Sequence, residues 1–138
     1  MDWKECCGKR IVKNVQQDPP LIQSLLKSSA NKLQSQHKLP LEEVTAASVL
    51  SLAYDSLREL LEVLALQQGF KVYNHECYTA FLKEIMRLSN EGDEFDSIRK
   101  ERNAVNYYGK EISVPEVKIL SGRIHKLRLC LEKKVVIK

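Results

Sequence analysis

The residues best equipped for chemistry in this chain lie in one stretch, Arg99-Lys-Glu-Arg-Asn-Ala-Val-Asn-Tyr-Tyr-Gly109. At about 100° per residue, Phe95, Ile98, Arg102 and Val105 share one helical face, so a guanidinium occupies the middle of an apolar stripe. A permanent charge there needs a carboxylate, a helix end, a neighbouring subunit or a phosphate. Arg99 precedes Arg102 by almost one turn, and Asn106 follows it by one. With Asn103, Tyr107 and Tyr108 they form a polar cluster able to contact phosphate or ribose.

Other chemistries lack their residues. The sequence has no phosphate-cradling glycine loop, no Gly-x-Gly-x-x-Gly, no His-Glu-x-x-His and no serine elbow. The histidines are far apart and no Cys-x-x-Cys occurs, so neither a metal nor a cofactor is expected. Tyr107-Tyr108 is the sole aromatic cluster, which argues against a stacking platform for single strands.

The elements that must position this stretch read as helices. The 138 residues suit a single domain over 1–138, and 43% apolar with 29% charged residues is ordinary for a folded soluble chain. No apolar run approaches the roughly 20 residues that span a bilayer, and Met1-Asp-Trp-Lys-Glu does not open a signal peptide, so the cytoplasm is the expected location. Residues 2–17 read as a weak helix interrupted by Gly8, within an N-terminal extension over 1–18. Asp18-Pro19-Pro20 is a start signal for a helix running to His37, where a histidine suits the negative end of the helix. Residues 41–68 carry two apolar stripes, Leu50, Leu57, Leu61, Leu64 and Val49, Leu52, Val63, Leu66. A helix so broadly apolar is expected at the centre of a bundle or in a dimer interface. Asp55, Arg58, Glu59 and Glu62 fill its polar sector, and Gly69 stops it.

Phe70-Lys-Val-Tyr73 has β propensity but, as a lone strand, nothing to pair with. Asn74 caps a helix expected to end near Asn90-Glu-Gly92. His75, in its first turn, is a local packing or capping residue or a catalytic one. Asp93 then opens the helix that holds the polar cluster, ending at Gly109. Ser113-Val-Pro-Glu116 has capping-box spacing and starts the last helix. That segment, residues 118–138, carries a net +6 while the rest of the chain carries −2. Its basic face is either simply solvated or attractive to phosphate backbones. Cys6, Cys7, Cys77 and Cys130 read as reduced thiols, Cys130 as an apolar filler. The whole is expected to be all-α, a mainly up-and-down four-helix bundle over 19–134 with an additional short N-terminal helix.

Arg102-Asn103 followed by Asn106-Tyr-Tyr-Gly109, after a long helix with Tyr54-Asp-Ser-Leu-Arg-Glu-Leu-Leu-Glu62, resembles the HEPN domain. Asn74-His-Glu-Cys-Tyr-Thr-Ala-Phe-Leu82 also resembles the corresponding helix start in small prokaryotic members, so the likeness covers roughly residues 20–134. It implies a dimeric helical bundle in which two motif helices face each other across a cleft. Active members carry Arg-x4–6-His and are metal-independent RNases, the arginine on the scissile phosphate and the histidine in acid–base chemistry on the ribose 2′-hydroxyl. Many are toxins neutralised by a nucleotidyltransferase-like (MNT) antitoxin, and others serve in nucleotide binding or defence.

This chain departs from that motif at the histidine. Counted from Arg102, x4 ends on Tyr107; counted from Arg99, x6 ends on Asn106. Asn106 lies about 40° from Arg102 around the helix and Tyr107 about 140°, so Asn106 shares the arginine face. An amide does not titrate near neutrality, and a lost acid–base group costs about 10²–10⁴ in rate. The expectation is therefore an RNA- or nucleotide-binding homodimer using Arg99, Arg102, Asn103 and Asn106, with weak or absent nuclease activity. It would belong to a toxin–antitoxin-like or defence system, with an MNT-type partner. One alternative is an active RNase using Arg102 with Asn106, Tyr107 or Tyr108. The other is a non-enzymatic helical interaction module whose Arg102 is a structural ion-pair partner.

Overall fold

The computed structural model describes residues 1–107 and 111–136. The fold is mainly all-α: α1 (Trp3–Gly8), α2 (Pro19–Lys38), α3 (Ala46–Gln67), α4 (Glu76–Ala80), α5 (Ser89–Tyr107) and α6 (Val114–Glu132). Four of these are long, and α3 packs against α2, α5 and α6. Most of its two apolar stripes is covered within the chain: Val49, Leu50, Leu57, Leu61, Val63, Leu64 and Leu66 are buried, and Leu52 is half-buried. No helix among the described residues is long and apolar enough to cross a membrane.

The start signals act as their chemistry requires. Asp18 accepts from the Leu21 amide at 3.2 Å behind Pro19. Ser113 and Glu116 close a reciprocal capping box, the Glu116 amide reaching Ser113 Oγ at 3.2 Å. Gly69 follows α3 with φ of 90°, a conformation that a side chain resists.

Three expectations fail. Residues 2–17 are not one helix: Gly8 ends α1, Arg10 turns the chain at φ 59°, and Val12–Asn14 forms β1. Phe70–Val72 is therefore not a lone strand. It is β2, antiparallel to β1, with Val12 opposite Val72 and Asn14 opposite Phe70. β-Branched Val12 and Val72 and aromatic Phe70 suit a pleated pair, but the partners lie too far apart in the chain for local periodicity to reveal. Trp3 seals the pair to the bundle, its ring 5.0 Å from Phe70 and 5.9 Å from Phe81.

The second failure is the helix over 74–90. It is α4, then a π-helical turn at Phe81–Ile85, and it ends where Arg87 adopts φ 59°. Gly92 and Asp93 consequently lie inside α5, which begins at Ser89 rather than at Asp93. Gly92 permits close approach: a Cβ there would collide with the Lys83 side chain and sit 3.2 Å from the Thr79 carbonyl oxygen.

The third concerns the thiols. Cys6 of α1 and Cys77 of α4 are joined in a disulfide, their Cα atoms 6.1 Å apart, while Cys7 and Cys130 are free. Packing of α1 on α4 brings together two cysteines 71 residues apart, both fully buried.

Two charged side chains are also buried, Glu59 from the polar sector of α3 among them. Glu59 is held by Ser28 at 3.1 Å and by Lys32. Arg128 of α6 is buried against α2 and α3, donating from Nε to Ser56 Oγ at 2.9 Å and from a terminal nitrogen to Ser29 Oγ at 3.1 Å. The two serine hydroxyls also donate to each other's backbone carbonyls, Ser29 to Ser56 at 2.6 Å and Ser56 to Ser29 at 2.8 Å, so the guanidinium enters a satisfied polar network.

Candidate functional site

The site is built where α3, the start of α4 and the middle of α5 meet. Phe95 and Ile98 anchor α5 in the core with no exposed surface. Arg102, one turn beyond Ile98, is thereby held over α3. Its guanidinium carbon lies 4.6 Å from the centre of the Tyr54 ring, within cation–π range. Tyr54 is fully buried, stacked on Phe95 at 6.2 Å, and it forms the floor of the site.

Tyr54 also meets a histidine. Its hydroxyl and His75 Nδ1 are 3.2 Å apart, and the two ring centres 5.9 Å. Asn74 sets this approach by accepting from the Glu76 amide at 2.9 Å, which turns the chain into α4. His75 is thus packed as a local residue, and the same contact brings it to the arginines. Burial, then the charges of Arg58 and Arg102, lower its pKa from 6.5 to about 4, with Asp55 opposing and Arg99 assisting. Burial likewise raises the Tyr54 phenol to about 12 against the pull of Arg102, Arg99 and Arg58. At neutral pH the pair is an uncharged phenol hydrogen-bonded to an uncharged imidazole beneath cationic side chains.

The two arginines of α5 part company. Arg99 donates to Asp96 Oδ1 at 2.8 Å, and its Nε is buried without a hydrogen-bond partner among the described residues. It lines a cleft of about 460 Å³ shared with Glu76, Thr79, Lys83, Asp96 and Lys100. Burial works to raise the Asp96 carboxyl pKa, but hydrogen bonds from Arg99 and Lys100 outweigh it and hold the group below its usual range. Carboxylates and cations alternate around this cleft, so it has no single sign. Arg58, one turn along α3 from Tyr54, pairs with Glu62 at 3.3 Å and Glu59 at 4.0 Å.

Of the residues read from the sequence, Arg99 and Arg102 both lie within electrostatic range of Tyr54 and His75. Asn103 is half-buried on the same helix. The side chains of Asn106 and Tyr107, and all of Tyr108, lie outside the described residues. Sequence reasoning gave no site role to Tyr54 or Arg58. Their i, i+4 spacing on α3 was the available signal, but it reads equally as ordinary helix surface.

The basic face of the last helix is partly committed elsewhere. Arg123 donates to Glu94 from Nε at 3.2 Å, to Glu101 at 3.2 Å and to Ser97 at 2.9 Å, binding α6 to α5. Among the described residues no group of three or more His, Cys, Asp or Glu is placed to hold a metal ion.

No protein-family model matches the chain, and no curated protein or solved structure does either.

Proposed function

We propose that this chain is a HEPN-like protein that acts as a homodimer and binds RNA or a nucleotide through Arg99, Arg102, Asn103 and Asn106, with weak or absent nuclease activity. The observation that carries the reading is the placement of Arg102: half-buried, stacked on Tyr54, with the charges of Arg58 and Arg99 close by. Guanidinium groups collected at a partly desolvated surface favour an oxyanion that offers paired acceptor oxygens, such as phosphate. The weak activity follows from the sequence, in which asparagine occupies position 106 where the resemblance calls for an acid–base group. A toxin–antitoxin-like or defence setting and an MNT-type nucleotidyltransferase partner belong to the same proposal and rest on the resemblance alone; a cytoplasmic location belongs to it on the sequence reading given above.

The test is binding of a short labelled single-stranded RNA, followed by anisotropy, alongside a cleavage gel. Arg102→Ala is expected to weaken binding about 10–100-fold, the usual worth of a charge-assisted contact, with little cleavage in either protein. Cleavage that depends on Arg102 would instead establish an active RNase.

The stacking of Arg102 on Tyr54 also favours a second reading, a helical interaction module in which Arg102 serves packing. In that case Arg102→Ala lowers the melting temperature or weakens the dimer and leaves RNA affinity unchanged.

A further inference from the structure

The helix carrying the arginines offers no histidine, yet the fold supplies one from another element. We propose that His75 is a phosphate-contacting residue of the Arg102 site, and that binding of a phosphodiester there is coupled to uptake of one proton by the His75 ring. This deepens the RNA- or nucleotide-binding reading and rests on it.

The geometry points to a composite site. Tyr54 is shared: Arg102 lies over its ring face and His75 meets its hydroxyl, so both are held by one rigid, buried side chain. The Nδ1 of His75 is engaged by Tyr54, and the half-buried ring keeps part of its surface accessible. The hydrogen bond survives protonation, because a phenol oxygen can accept from Nδ1–H as readily as it can donate to bare Nδ1. His75 can therefore gain a proton without losing its place.

The charges facing the ring decide when it does so. From α3 these are Arg58 and Asp55, with Glu62 behind Arg58; from α5 they are Arg102 and Arg99, with Asp96 behind Arg99. Beside it on α4, Glu76 is paired with the Met1 amino group at 3.4 Å. Tyr54 and Tyr78 remain protonated phenols, Tyr78 pushed above the usual tyrosine range by burial. Arginine charges and burial together keep the empty ring neutral. An anion within about 4–6 Å offsets the arginines and favours the protonated imidazole by a factor of roughly 10–1,000. By reciprocity, protonation strengthens anion binding by the same factor.

The probe is uridylyl-(3′→5′)-uridine, whose single phosphodiester charge and neutral bases do not change in mildly acidic solution. Its affinity is measured by calorimetry at about pH 7.5 and about pH 5.5, and the histidine ring signals are followed by NMR. His75→Gln identifies the His75 signal and keeps a hydrogen-bonding side chain beside Tyr54; circular dichroism checks its fold. The expected result is higher affinity at the lower pH in the parent protein, from about 1.3-fold at the weak end of that coupling to about 25-fold at its strong end. The His75 titration midpoint should move upward on binding, and His75→Gln should remove the pH dependence while Arg102→Ala removes binding. Binding that needs Arg102 but is indifferent to pH and to His75→Gln overturns the role of His75 alone. No Arg102-dependent binding at either pH overturns this proposal and the nucleotide-binding reading together.

Discussion

Arg102 and His75 meet the same tyrosine from different sides, and the pairing has consequences for stability as well as for binding. In the unfolded chain His75 titrates near 6.5, whereas in the fold burial and neighbouring arginines bring it to about 4. As pH falls below 6.5 the unfolded state takes up the proton first, so stability present above 6.5 is lost progressively toward 4. His125, lowered by burial and by His37 and Arg128, acts in the same direction. The unfolding free energy from urea titration is therefore expected to fall between pH 7 and about 4.5, and His75→Gln should reduce that fall by on the order of 1 kcal/mol, a figure discounted for the ring's partial exposure. Equal slopes in parent and variant would mean that His75 titrates normally in the folded protein.

Elements in this molecule are adjusted to one another at close quarters, and α5 shows how. Its first turns lie against the π-helical turn and α4, an approach that Gly92 makes possible. Elsewhere in a helix, glycine to alanine is worth about 1 kcal/mol of added stability. Here the new methyl would press on Lys83 and the Thr79 carbonyl, so Gly92→Ala is expected to lower stability by about 1 kcal/mol. A raised thermal midpoint would show that the two elements do not approach so closely. The early start of α5 at Ser89 escaped local reading for a related reason. Asp93 and Asn90-Glu-Gly92 look like helix-boundary chemistry, but Arg87 takes the left-handed turn and leaves them inside the helix.

At the scale of the whole molecule, the N-terminal segment is a clasp across the bundle: β1 pairs with β2, Trp3 packs on Phe70 and Phe81, and Cys6 is bonded to Cys77. A link spanning 71 residues is worth up to about 4 kcal/mol through the unfolded chain's lost freedom. Under denaturing, non-reducing conditions two of the four cysteines, Cys7 and Cys130, should alkylate, and all four after reduction. Reduction should also lower the thermal midpoint. Four reactive thiols before reduction would refute the link. The clasp joins the strand pair and α1 to α4, the element that begins beside His75.

The helical plan was legible because its causes are local. The stripes of α3, the Asp18-Pro19 start, the Ser113–Glu116 box and the stop at Gly69 each depend on residues within a turn or two of one another. Half of the candidate site was legible too, since a guanidinium on the apolar stripe of α5 is a conflict visible in sequence. What Arg102 rests on was not, because Tyr54 and His75 come from other elements and periodicity carries no information about which helix faces which. The same limit hid the strand pair, the Cys6–Cys77 bond and the burial of Arg128 among Ser29 and Ser56. Local spacing determined which segments are helices and where a charge is out of place. Only the tertiary packing decided what surrounds that charge, because contacts between distant segments follow from filling a common core.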